Sequence, residues 1–164
     1  MEASTYSSAR EFFEAVRDAA IELERSERQI TRMRLSEGVR AQRYEVRGAG
    51  GGDRSGMSAT DARMDFESPM ERRVREDREI VSRGVRLCYG EEGAGGGVCA
   101  LLGSLAADSV YWRYCRGVSW VKAAEAVGAS TKSVQRWCDT AFDTMDAHGC
   151  ACSVAGMGLA EGKS

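Results

Sequence analysis

Two glycine-rich tracts, GAGGGDRSG at 48–56 and YGEEGAGGG at 89–97, divide a chain of 164 residues whose single proline is Pro69. Runs of glycine lose too much backbone entropy on ordering to hold a helix, so each tract reads as a break. Between them no stretch alternates Val, Ile and Thr in the manner of a strand, and the apolar residues recur at helical spacing instead. The fold class is therefore all-α. Its expected layout is an N-terminal arm over residues 5–90, a long two-helix coiled coil broken at 48–56. A small helix-turn-helix head over 98–147 and a loose tail over 148–164 complete it.

In the arm, Phe12, Val16, Ala19, Leu23, Ile30 and Met33 succeed one another at spacings of 4, 3, 4, 7 and 3. That is a coiled-coil seam with one polar interruption near Ser26, carried by a helix from about Ser7 to Arg47. Acidic residues lead up to Glu24 and arginines dominate from Arg25, an order that suits the helix dipole at both ends and leaves a solvated outer face. After the break, Ser58 and Asp61 form a capping pair for a short helix through Phe66. Ser68-Pro69-Met70-Glu71 is a stronger start, because it joins a serine cap, proline at the first helical position and Glu three after the cap. Met70, Val74, Val81 and Cys88 then repeat at heptad-compatible spacing, so the second helix can pair with the first as an antiparallel hairpin, or the same seams can serve a homodimer.

The head begins with helices expected over Val98–Leu105 and Ala107–Arg116, the second carrying Val110, Tyr111 and Tyr114 toward Ser119. Ser119 to Asp143 reads as a helix-turn-helix. Ser119 is an N-cap, and Trp120, Ala123, Ala124 and Val127 share one face of a short helix. Gly128 supplies the left-handed turn, and it and Ala124 are the positions where bulk would block the close crossing of the two helices. Ser130 caps a second helix in which Val134, Trp137 and Ala141 face the core, as Trp120 does in the first. Thr131, Lys132, Gln135 and Arg136 point elsewhere, with side chains that reach bases or phosphates, and Ser133 stands among them.

Net charge is −2, which argues against a protein that coats nucleic acid without specificity, since such binding rests on phosphate neutralisation. Within Asp108 to Ala147 the basic residues Arg113, Arg116, Lys122, Lys132 and Arg136 precede most of the acidic ones, so one edge is positive and the trailing half of the last helix negative. No apolar run approaches the ~20 residues that span a bilayer, and the first residues do not resemble a signal peptide; the expected location is the cytoplasm. Six cysteines in a reducing compartment are expected to be small apolar thiols. The segment HGCAC lacks the two-to-four-residue spacing of zinc knuckles, so no metal and no cofactor are expected. One histidine, no phosphate loop and no clustered carboxylates leave few parts for an enzyme.

The string YWRYCRGVSWVKAAEAVGASTKSVQRWCDTAF, Tyr111 to Phe142, resembles the head of the phage sigma-factor-like late-transcription regulators of the ArpU/RinA type, which are similar to sigma-70 region 4 in this part. The resemblance is carried by Arg113-Tyr114, Gly117, Ser119-Trp120, Ala124, Gly128, Ser130 and Val134. The upstream layout of charged helix, glycine-rich break with Asp-Arg-Ser-Gly-Met-Ser, and second charged helix is also similar. This chain departs from the pattern in the glycines at 93–97 and in Trp137, where an aliphatic residue is usual. The resemblance implies a prophage-encoded, DNA-binding regulator of transcription with RNA polymerase as a candidate partner.

In that reading the helix from Ser130 enters the major groove of double-stranded DNA by its N-terminus. Thr131, Lys132, Ser133, Gln135 and Arg136 face the duplex, Lys122 and Arg116 anchor phosphates, and Ser119 and Ser130 present helix-terminal amides. The alternatives are a phage small terminase subunit, which joins a helix-turn-helix to helical hairpins in a ring, and a structural coiled-coil protein whose head binds protein.

Overall fold

A computed structural model describes residues 6–45, 68–91 and 96–148, and among these every regular element is helical. The expected break at 48–56, the short helix at 58–66 and the tail beyond His148 lie outside the described residues. The first helix, α1, is Ala9–Glu45, 37 residues long. Ser8 opens it by accepting the Glu11 backbone N–H, while the Glu11 carboxylate accepts from the Ser7 N–H, so one orphan donor of the first turn is satisfied locally. The next, α2, is Pro69–Tyr89, and its start is the expected capping box: Ser68 Oγ accepts from Glu71 N at 3.2 Å and Glu71 accepts from Ser68 N at 3.0 Å. It stops at Gly90, whose φ is +82°.

Three short elements come next. Helix α3 is Gly97–Leu102 and α4 is Ser104–Val110. The break between them falls at Gly103, whose φ of +91° places it outside any helix. Ser104 and Leu105 therefore belong to the second of the two, a shift from the expected boundary. Helix α4 then widens into a π-helical turn, Tyr111–Cys115, closed by Arg116 N–H donating to Tyr111 O at 2.9 Å. The last two helices are α5, Trp120–Val127, and α6, Thr131–Ala147.

The chain divides into two compact units, residues 1–22 with 77–164 and residues 23–76. This corrects the expected arm and head. Phe12, Phe13 and Val16 of α1 and Leu87 and Cys88 of α2, all within the span expected to form an arm, are buried in one cluster with Val98, Val110, Tyr114, Val134, Phe142 and Met145. Aromatic contacts hold that core: Phe13 lies 6.1 Å from Tyr114 and 5.4 Å from Phe142, and Tyr114 lies 5.1 Å from Phe142, ring centre to ring centre. Gly84 lets α2 come close, since a Cβ there would stand 2.9 Å from Val16 Cγ1 and 3.2 Å from Cys115 Sγ.

The second unit is organised differently. Ser26 and Val74 are buried in it, but from Thr31 to Gln42 every side chain is exposed. Met33, expected on a buried seam, is 51% exposed.

Candidate nucleic-acid interface

The turn between α5 and α6 is built by three residues. Ser119, in extended conformation, caps α5 by accepting Lys122 N–H at 3.3 Å. Gly128 ends it in the left-handed region, with φ +74°, and both Gly128 and Ala129 donate to Ala124 O. Ser130 caps α6 by accepting Ser133 N–H at 3.1 Å. Of the two reasons expected for glycine at 128, the left-handed turn holds and the close crossing does not. A Cβ there would meet nothing within 4 Å, so the requirement is the positive φ alone and not room for a close crossing.

Packing separates the faces as the spacing predicts. Ala123 and Ala124 of α5 and Val134, Cys138, Ala141, Phe142 and Met145 of α6 are buried. Trp120 and Trp137 are half-buried and packed against the core. The edge of Trp120 meets Tyr114, and its face is covered by the Arg113 guanidinium at 4.4 Å. Trp137 also borders a surface concavity of about 150 Å³ together with Ser133, Arg136 and Thr140.

The nine candidate residues fall into two neighbouring groups. On α6, Lys132 and Arg136 stand one turn apart on the side opposite Val134 and Cys138, both exposed. Thr131, Ser133 and Gln135 are half-buried on the flanks, and Ser130 and Ser133 hydroxyls bond to each other at 2.8 Å. Around α5, Arg116, Ser119 and Lys122 are exposed, with the Arg116 guanidinium 6.0 Å from the Trp112 ring centre. Lys122, Lys132 and Arg136 enter no ion pair among the described residues.

The trailing half of α6 carries two interactions that sequence patterns do not reveal. Asp139 pairs with Arg10 at 2.6 Å, and Asp146 accepts Ala9 N–H at 2.7 Å, a carboxylate at the positive end of α1. Arg10 is raised above its usual pKa by the hydrogen bond to Asp139. Two of the carboxylates that give this half its negative charge are thus engaged by the start of α1. The contacts span well over a hundred residues and have no local signature.

Burial governs the titration of the core thiols and of the Tyr114 phenol. It pushes the Cys138 thiol up to about 12, raises Cys88 well above the ordinary thiol range, and raises the Tyr114 phenol. Both cysteines therefore sit in the core as uncharged apolar groups at neutral pH. Arg113 is shifted down, first by desolvation and then by Arg17 nearby. Comparison of the chain with family models, with curated proteins and with solved structures finds no match.

Proposed function

We propose that this protein is a sequence-specific, double-stranded-DNA-binding regulator of transcription that uses α5 and α6 as a helix-turn-helix, in the manner of the phage sigma-factor-like regulators its head resembles. The observation that carries the reading is α6 itself. A Ser-capped helix on a left-handed glycine turn buries one face completely and offers Lys132 and Arg136, both without ion pairs among the described residues, on the other. A helix presented this way fits a major groove about 12 Å wide and meets base edges with its first two turns.

Arg136 makes the bidentate guanine contact or its phosphate equivalent, and Gln135 the adenine contact from the neighbouring flank. Lys122 and Arg116 neutralise backbone phosphates. With a net charge of −2, nonspecific affinity is low and specificity rests on few side chains. RNA polymerase is the protein partner this reading implies, in the cytoplasm. Leu35 and Val39, one turn apart and 66% and 55% exposed, give the distal part of α1 an apolar face for a second copy.

The test is Arg136→Ala on a duplex selected by the intact chain from a randomised library. Loss of one good base contact weakens binding by about 1–3 kcal/mol, roughly five- to 150-fold, with no change in thermal unfolding. Unchanged affinity at fixed salt removes Arg136 from the interface.

A further inference from the structure

The chain also holds a pair of arginines off the base-reading face, neither of which makes an ion pair among the described residues. We infer that Arg17 and Arg113 together form a binding site for a phosphate oxyanion, filled by one phosphodiester of bound duplex; this assignment of the source rests on the DNA-binding reading above. Arg17 lies on α1 between two points where that helix touches the segment leading into α5. One turn before it, Phe13 packs on Tyr114. One turn after it, Ala20 and Ile21 lie against Gly117, where a Cβ would stand 3.0 Å from Ile21 Cγ1 and 3.7 Å from the Arg17 carbonyl oxygen. Arg113 sits on the same segment. Its Nη1 donates to Val118 O at 2.8 Å while its plane stacks on Trp120, the first residue of α5.

Two like charges are thus carried by α1 and by the segment leading into α5 where the two pack together, and Arg113 makes no ion pair among the described residues. Arg17 makes no ion pair among the described residues. The charged side chain that most affects Arg113 is Arg17. The Nε of each arginine is sealed from solvent without an acceptor, while the side chains as a whole are half-buried. An oxyanion at the accessible part of the two guanidiniums supplies the missing counter-charge. The bond to Val118 and the stack on Trp120 hold the Arg113 fork in one orientation, which lowers the entropy lost when it meets a planar or tetrahedral anion. Ser119 and Lys122 lie at the same end of α5, where a duplex backbone runs in the proposed docking.

Arg17→Gln separates the possibilities, because Arg17 has no bond in the fold to lose, and Arg17→Lys serves as the charge-retaining control. Two probes are used on the full chain: a 40-base-pair duplex of mixed sequence titrated at several salt concentrations, and inorganic phosphate followed through the Arg113 Nε–H resonance. The expected results are a log K against log salt slope about 1 shallower in Arg17→Gln, largely restored in Arg17→Lys, and a saturable phosphate-induced shift at Arg113 that Arg17→Gln abolishes. A phosphate response without any change in the duplex slope keeps the oxyanion site and overturns its assignment to DNA. Absence of duplex binding with the phosphate response intact counts against the DNA-binding reading and leaves the site standing. An unchanged slope together with no phosphate response overturns the inference.

Discussion

The first four turns of α1 and its last four belong to one continuous helix, yet they live in opposite surroundings. Phe12, Phe13 and Val16 are essentially inaccessible, whereas Leu35 and Val39 are 66% and 55% exposed. Local pattern does not separate them, because both stretches place apolar residues among charges at helical intervals. The difference is supplied by partners distant in sequence: the start of α1 meets Tyr114, Phe142, Asp139 and Asp146, whereas every side chain from Thr31 to Gln42 is exposed. A helix of 37 residues can be anchored at one end by tertiary packing and carried onward by propensity and one-turn ion pairs such as that of Glu24 with Arg28.

The sharpest way to break that comparison is to truncate one side chain from each half. Phe13→Ala opens a cavity beneath three aromatic rings and is expected to cost about 3–5 kcal/mol in urea unfolding, while Leu35→Ala changes stability by no more than about 0.5 kcal/mol. Comparable losses from the two would erase the distinction. Glycine gives the second contrast. Gly128→Ala forces a Cβ into the left-handed region and is expected to cost about 1–2 kcal/mol, whereas Gly38→Ala, in the open interior of α1, gains about 0.5–1 kcal/mol. Thermal melts of the two variants should therefore move in opposite directions.

Smaller effects refine the same picture. Ser130→Ala removes the cap of α6 and is expected to lower stability by about 1 kcal/mol; under the proposed function DNA affinity falls as well, because the first turn of α6 frays. Arg10→Ala breaks a half-exposed pair with Asp139 and should cost about 0.2–1 kcal/mol, declining as salt is raised. A salt-independent loss would show that Arg10 contributes through its packing over the Phe142 ring instead.

Much of the head, like the start of α2, was legible because the determinants are local. Ser119, Gly128, Ser130 and the Ser68-Pro69-Glu71 start act within one helical turn, and each occupies the role its chemistry predicts. The boundary between arm and head was not legible. Heptad spacing states that Phe12 and Val16 face something, and it is silent on whether that is a second arm helix or α6. Phe13 escaped the seam altogether, because burial from two sides widens the apolar stripe beyond a coiled-coil period. Gly84 and Gly117 mark close approaches between distant segments, which a reading based on turns does not anticipate. Of the candidate site, Lys132 and Arg136 were found from spacing alone, while Arg17 and Arg113 needed the fold to bring them to one end of α5.

The central claim is that α6 reads base sequence, and the most direct measurement is selection by the intact chain from a randomised duplex library at about 0.15 M salt. The account predicts enrichment of one motif, bound about 10³-fold or more tightly than mixed-sequence DNA, with the enrichment lost when Lys132 and Arg136 are both replaced by alanine. A library that emerges unenriched, or a motif that survives the double replacement, would contradict it.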